Sequence, residues 1–476
     1  MMLLLVIGLR NIRRNLRRSV TTILAVAMGA LAMLAFGGFM AFLVIGFRTQ
    51  VIEGTGHLAV MRKGFFEFGS GNPAAYGIGG YQDVIKTIAG DKVLGPMINV
   101  ITPTINMYGL AANFAADSSR TFYGFGVVPS DRQKMRAWDE AGVIRGRVLD
   151  DLGLVEDDEE RGVIGTGLAR ILGLCEKLKL ADCYSATAAA PAAGPAAPAK
   201  AAPAVAPPPG VDLAELASRD TQSAEASPDA GLPRIDLLSA TAGGSPNVVS
   251  LYVARSRTQG ARELDDVFVS MHLALAQQLL YGRGEHKATS LVIQLHHYAD
   301  MDAARQRLNE LVADKGLEVR DFTELTPMYN QVIGFFGAIF VFIAVVMGVI
   351  VLFTVVNTMS MAVMERTNEI GTTRALGVRR AGIRRQFLVE GALLGVIGAA
   401  AGVALTEIVA FALNLSGLRW TPPGQAYSIP FRLLMSGIGP LIAGVVVALI
   451  VIAIVAALIP ANRAARMSVV DALRHV

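Results

Sequence analysis

The sequence predicts an α-helical membrane protein with four transmembrane helices and a large mixed α/β extracytoplasmic domain inserted between the first and second helices. Three observations predict it. The 476 residues are 53% hydrophobic and 17% charged, with a mean hydropathy of +0.47, too apolar for an ordinary soluble chain of this length. Four apolar runs, residues 20–47, 329–358, 387–415 and 434–459, each exceed the ~20 residues that cover a ~30 Å hydrocarbon core. Arginines crowd the short segments beside those runs.

Residues 1–19 form a basic N-terminal helix ahead of the first span at 20–47. That apolar run is far longer than the ~7–15 residues of a secretory h-region and lacks a clear small-x-small cleavage site, so it is read as a retained anchor. "NLRRSVTT" is only a faint twin-arginine pattern. The stretch "LLLVIGLRNIRRNLRR" can lie along the inner leaflet with its arginines on anionic headgroups, or simply begin a helix with topology charges; the two readings are compatible.

Charge placement sets the orientation. Arg10, Arg13, Arg14, Arg17 and Arg18 precede the first span. Arg366, Arg374, Arg379, Arg380, Arg384 and Arg385 lie in the loop 359–386, and Arg463, Arg466 and Arg474 in the tail 460–476. The positive-inside rule puts all three segments in the cytoplasm, and with them both termini. These 14 arginines, against Glu365, Glu369 and Asp471, carry +11, so the remainder must carry −7 to give the chain total of +4. The pI of 9.1 is therefore a topology signal; a nucleic-acid surface would gather its cations on a folded domain.

The same topology puts residues 48–328 outside, followed by spans at 329–358, 387–415 and 434–459, with a short external loop at 416–433. Within the large domain, "GHLAVMRKGFFEFGSGNPAAYGIGGY" reads as strand and loop, and "YQDVIKTIAG" as a short helix. "KATSLVIQL", "DMDAARQRLNELVADKG" and "LEVRDF" read as strand, amphipathic helix and strand, the helix opened by Asp300 or Asp302 and closed by Gly316. Residues 185–233 form an extended Ala/Pro-rich insertion in which proline forbids both helix and ladder, a tolerated loop expansion or else a wall-binding or partner-binding arm. Cys175 and Cys183 are the two cysteines; an external location permits a disulfide between them, and two unpaired thiols remain the alternative.

Chemistry of its own is hard to find in this chain. No GxxxxGK[ST] run cradles a phosphate, so no cofactor is expected here. The adjacent His296 and His297 point to opposite faces of a strand end, which disfavours a shared metal, and no GxSxG elbow anchors a nucleophile. Gly391, Gly395, Gly398 and Gly402 place a small-residue stripe on one face of the third span, where another helix can approach. Glu390 falls within that helix's first turn, within reach of the headgroups, and Glu407 lies deeper toward the outside; both favour structural hydrogen bonds over a proton path. Prolines in "WTPPG", Trp420–Gly424, stiffen the last external turn.

The stretch "MERTNEIGTTRALGVRRAGIRRQF" resembles the FtsX-like permease family of ABC transporter membrane subunits, which includes Lol-type lipoprotein-release and macrolide-exporter permeases. The family run R-x-x-E-I-G-x-x-R-A-L-G falls on Arg366, Glu369, Ile370, Gly371, Arg374, Ala375, Leu376 and Gly377, with Glu365 beside it. "GLRNIRRNLRRSVTTILAVAMG", "VIGTGLARILGL", "RELDDVFVSMHLALAQQLL", "SLVIQLHHYADMDAARQRL" and the tail "IPANRAARMSVVDALRHV", at Pro460, Ala461, Ala464, Ala465 and Asp471 to Arg474, extend the likeness over nearly the whole chain. One departure stands out, where "CEKLKLADCYSA" replaces the family's usual "GD" turn into a strand.

The resemblance implies that residues 359–386 form a coupling loop gripped by a separate cytoplasmic ATPase, which binds ATP and Mg, with Gly371 and Gly377 allowing close approach and a sharp exit. It implies pairing with a second permease chain, homo- or heterodimeric, in the bacterial inner membrane, and mechanotransmission to a periplasmic domain. The Lol-like side fits "GTGHLAVMRKGF" and "RELDDVFVSM" best, implying extraction of a lipoprotein or lipid, with a periplasmic adaptor or chaperone as a further partner. Alternatives are efflux through an adaptor and mechanical regulation of a cell-wall hydrolase; the ~280-residue external segment disfavours the latter.

Overall fold

The computed structural model describes residues 2–14, 16–69, 71–140, 142, 152–180, 231–259, 262–421 and 428–467. Cys183, most of the Ala/Pro insertion, Pro422–Gly424 and the tail from 468, including Asp471 and Arg474, lie outside them. The chain divides into two units: Met1–Arg48, Pro327–Trp420 and Ile429–Val476 form the first, and Thr49–Thr326 with Thr421–Ser428 the second.

The first ordered elements are helix α1 (Met2–Arg14) and helix α2 (Leu16–Thr55). The second unit follows with β1 (Leu58–Arg62), α3 (Tyr81–Ala89), β2 (Ile98–Asn113), β3 (Ser118–Val127), α4 (Pro129–Arg136), β4 (Arg161–Gly165) and α5 (Thr166–Ile171). It continues with β5 (Arg234–Ala240), β6 (Pro246–Arg257), β7 (Phe268–His272), α6 (Leu273–Tyr281), β8 (Ser290–Leu295), α7 (Met301–Val312) and β9 (Leu317–Asp321). The first unit continues with helices α8 (Pro327–Glu365), α9 (Thr367–Ala375), α10 (Arg380–Leu415) and α11 (Gly439–Arg466).

Among the described residues four helices, α2, α8, α10 and α11, are long and apolar enough to cross a membrane. They extend past the apolar runs wherever no breaker stands: α8 continues to Glu365 and α10 starts at Arg380. α11 begins later than the hydropathy run, at Gly439, because Gly437 adopts a left-handed φ of 86° and Pro440 then opens the helix. Phe335, Phe342 and Phe353 of α8 are well exposed, as lipid-facing side chains are.

The glycines of α10 do not serve one neighbour. A Cβ on Gly391 would lie 2.6 Å from the Cβ of Ala457, and one on Gly395 would lie 2.9 Å from that of Ala453, both on α11. A Cβ on Gly398 would lie 2.6 Å from Val26, and one on Gly402 would lie 2.4 Å from the Ala30 Cβ and 2.8 Å from the Ala27 carbonyl oxygen, all on α2. All four stay on one side of α10, since 11 residues make about three turns; the one stripe meets two neighbours at successive heights, α11 at Gly391 and Gly395 and α2 at Gly398 and Gly402.

In the second unit, nine strands are ordered β9-β1-β8-β2-β3-β7-β4-β6-β5, with β2 also pairing β5. The first four are mutually antiparallel. With α3 and α7 they make a β-α-β-β-α-β unit of strand order 4-1-3-2, the split arrangement of ferredoxin-like folds. The strand-helix-strand read from sequence is thus β8-α7-β9, with β1 seated between its two strands. Leu58, Val60, Ile88, Leu291, Ile293, Ala304, Leu308 and Val319 share its core. Arg307 of α7 ties down Asp91 after α3 at 2.8 Å, and that guanidinium, with the Leu94 and Val93 amides, holds the Asp91 carboxyl near about 2.

Between β2 and β8 the chain inserts a second body. The β2–β5 pairing closes β2-β3-β7-β4-β6-β5 into a six-stranded ring, which abolishes strand edges. Strands β3 and β7 pair in parallel, as do β4 and β6, and α6 packs Leu275, Ala276, Leu279 and Leu280 into the same core as Phe122, Ile164 and Leu251. The stretches "VIGTGLARILGL" and "RELDDVFVSM" meet here. Asp265 accepts hydrogen bonds from the backbone of Thr166, Gly167 and Gln259 at 2.8–3.0 Å, and a Cβ at Gly165 would lie 1.9 Å from the Asp265 carbonyl oxygen. Cys175 is disulfide-bonded.

Gly402→Ala and Gly444→Ala separate the seam from helix propensity. Alanine gains up to about 1 kcal/mol over glycine in a helix interior, and nothing lies within 4 Å of a Cβ at Gly444, so that variant should match or exceed the wild-type melting temperature in detergent. Gly402→Ala should melt lower, since overpacking costs about 1–3 kcal/mol; equal melting of the two would refute the seam.

Candidate functional site

The charged stretch between α8 and α10 is the densest polar feature of the helical unit. α8 ends at Glu365, Arg366 leaves helical geometry at φ −100° and ψ 17°, and α9 then runs over Thr367–Ala375. The break has a local cause: the Thr367 hydroxyl donates back to the carbonyls of Met364 at 2.7 Å and Val363 at 3.3 Å, a bond that bends helices. α9 ends in a Schellman turn, with Gly377 at φ 94° and the amides of Gly377 and Val378 donating to the carbonyls of Arg374 and Thr373.

Arg366 points inward. It is 5% exposed and Glu390 is 4% exposed; their Nη1 and Oε2 atoms lie 3.1 Å apart. A second Arg366 nitrogen donates to the Asn11 carbonyl of α1 at 3.5 Å, and the Asn11 amide donates to Glu390 at 3.5 Å. Glu390 sits about three turns into α10, because that helix starts at Arg380, and it is buried among the helices. Glu407, in contrast, is exposed.

The two acids of the stretch are also spoken for. Arg14 pairs with Glu369, and Arg18 pairs with Glu365. Two arginines four residues apart thus face two glutamates four residues apart, one turn on each side. Because the four side chains are 36–58% exposed, each pair is worth about 0–1 kcal/mol; their effect is to fix the α1–α2 joint against the α8–α9 joint. Arg374 donates to the Met467 carbonyl after α11.

The sequence-marked residues therefore separate. Arg366, Ile370 and Gly371 are buried in the chain's own packing, so Gly371 is not free for a close approach from outside. Ala375, Leu376 and Gly377 are exposed; Leu376 at 82% and Met364 at 74% are large apolar side chains in water. Val378, Arg379, Arg380, Arg384 and Arg385 complete that outward surface. Sequence reasoning missed Asn11 and the pairings: Arg14 and Arg18 read there only as topology charges and Glu390 without a partner; the matching four-residue spacings of arginine and glutamate were the available signal for Arg14 and Arg18.

Residues 340–469 match the FtsX-like permease C-terminal domain. The chain is 30% identical over 181 residues to the ABC transporter permease YtrF of Bacillus subtilis, covering 37% of this chain and 41% of that protein. It is 30% identical over 183 residues to the macrolide export ATP-binding/permease protein MacB of Rhodopirellula baltica, covering 37% of this chain and 25% of that one. Against a probable export ATP-binding/permease protein MacB of Pseudomonas entomophila the identity is 28% over 233 residues, 49% of this chain and 30% of that one. The match thus spans less than half the length of each of these relatives.

A double-mutant cycle tests the buried pair. Removing one partner of a buried ion pair costs about 3–5 kcal/mol, whereas replacing both by apolar groups is often near neutral. Arg366→Met and Glu390→Leu should each lower the melting temperature in detergent strongly, and the double variant should recover most of the loss. Additive losses would show that the two side chains act separately.

Proposed function

We propose, on the match of residues 340–469 to the FtsX-like permease C-terminal domain and the likeness to ABC transporter permeases, that the chain is a permease subunit whose α9 receives motion from a cytoplasmic ABC ATPase and passes it to an extracytoplasmic α/β unit. The observation that carries this reading is the division of the α9 stretch into an inward half bound to α1, α2 and α10 and an outward half built of Leu376, Gly377 and Val378. Exposed apolar side chains at a helix end, flanked by arginines, are the anchors of a helix-in-groove contact. The inner ion pairs give the grip a mechanical route into the membrane helices.

In this reading the arginine-rich segments face the cytoplasm, the α/β unit is periplasmic, and two permease chains pair in the bacterial inner membrane. ATP and Mg belong to the ATPase, and the permease contributes motion without a solute path of its own. The cargo is a lipoprotein or lipid drawn from the outer leaflet, on the likeness of "GTGHLAVMRKGF" and "RELDDVFVSM" to the Lol-like side. A second reading, efflux together with a periplasmic adaptor, is favoured by the relatives that are named macrolide export proteins.

A pull-down of the tagged chain in mild detergent, followed by mass spectrometry, tests the grip. Leu376→Asp should reduce ATPase recovery about tenfold, the loss of a buried apolar anchor being worth ~1.4 kcal/mol or more, while leaving expression and melting unchanged. Equal ATPase recovery from wild type and variant would remove α9 from the contact. Lipoproteins or an adaptor in the wild-type sample decide between the two cargoes.

A further inference from the structure

The chain enters the α/β unit through the last turn of α2 and leaves it after β9, and one residue holds both passages. Thr49, Ile52 and Glu53 of that turn are buried. The Gly54 carbonyl at the helix end accepts from Arg132 Nη1 at 2.6 Å, a cation at the negative end of the helix. Gly56, at φ 71°, turns the chain into β1 so tightly that a Cβ there would lie 2.7 Å from the Ile293 carbonyl oxygen.

His57 follows and is fully buried. Its amide donates to the Ile293 carbonyl at 2.9 Å, and its own carbonyl accepts from the Phe322 amide at 3.1 Å. Its ring Nδ1 accepts from the Leu295 amide at 3.0 Å. Trp138 packs edge-on to the ring at 4.8 Å and anchors its indole nitrogen on the His296 carbonyl at 3.1 Å. Phe322 opens the passage to α8, only five residues before Pro327, and Asp321 beside it is fixed by Arg305 at 2.6 Å.

A backbone amide can only donate, so Nδ1 must present a lone pair and the imidazole is neutral with its proton on Nε2. The side chain thereby adds a third strand contact to the two made by its own backbone. Without the ring, β1 would remain paired to β8 and β9, but the end of β8 would lose its tie to the α2–β1 turn. Asparagine can place an oxygen acceptor near the Nδ1 position; leucine cannot.

We propose that His57 is a positioning residue that makes the α2–β1 turn, the end of β8 and the start of the passage to α8 move as one element, so that displacement of the α2 end is imposed on β8 as well as on β1. This rests on the reading that the α/β unit is driven from the membrane side. Its distinguishing consequence is that the ring transmits motion, where a merely structural contact would only add stability.

The test is hydrogen–deuterium exchange on the full chain in lipid nanodiscs with its ATPase, with and without ATP and vanadate. In His57→Leu, exchange at Leu295 should rise about tenfold while β6 of the closed ring stays at the wild-type rate, and the ATP-dependent change at the Leu295 end of β8 should vanish while that in β1 and in the β8 residues paired with it persists. His57→Asn should restore the response at that end. A response of wild-type size there in His57→Leu overturns the proposal, as does unchanged exchange at Leu295. Should His57→Leu fail to fold, Arg132→Gln frees the α2 end from α4 but keeps the ring, and β8 must then still respond; loss of the response there moves the role to Arg132. A wild type without any ATP response, but with the expected Leu295 change, defeats the transport reading and leaves the tie intact.

Discussion

The helical unit is organised around the buried pair of Arg366 and Glu390. A guanidinium and a carboxylate enclosed by apolar helices are each too costly to leave alone, so each holds the other in place. Because Arg366 stands at the end of α8 and Glu390 three turns into α10, the pair fixes where α8 must stop and how α10 must lie against it. Asn11 draws α1 into the same contact. Beside the pair, the Thr367 back-bond bends the chain from α8 into α9. What remains for the surface is the Schellman turn with Leu376 at its edge.

Away from that pair, close approach of backbones holds the bundle together. Between apolar helices in an apolar solvent there is no hydrophobic gain to drive association, so van der Waals contact at small residues supplies it. Gly391 and Gly395 give α10 its contact with α11, and Gly398 and Gly402 give it its contact with α2. α10 thereby touches the buried pair, α2 and α11 alike, as does α8 through Arg366 at its end, Val351 against Gly29, and Gly348 against Ile452.

The membrane part was legible because hydropathy and charge act over whole segments. Four spans and the α9 stretch follow from runs of apolar residues and arginines, and only their ends shift, at breakers such as Gly437. The strand-helix-strand around α7 was legible for the same reason of clear periodicity. The start of a helix was not: Glu390 reads as a first-turn residue because the apolar run begins at Phe387, whereas the helix begins at Arg380. Nor were pairings between distant segments, since nothing local in Arg14 or Asp265 says what it will meet. The closed ring was hidden for a third reason. Its closure depends on three residues of β2, Leu110–Ala112, facing β5 more than 120 residues later, and no local pattern encodes which edges will find each other.

β2 belongs to both bodies of the α/β unit. Residues 98–104 pair with β8 in the open sheet, and residues 105–113 pair with β3 in the closed ring. Sixteen residues of strand make a spine of about 50 Å with no hinge between its halves. A ring without free edges resists shear, because sliding any strand breaks ladder bonds on both sides. A twist applied to the open sheet is therefore not absorbed where it enters. It swings the ring bodily, as a crank swings what is fixed to its shaft, and the largest travel falls at the end farthest from the applied torque.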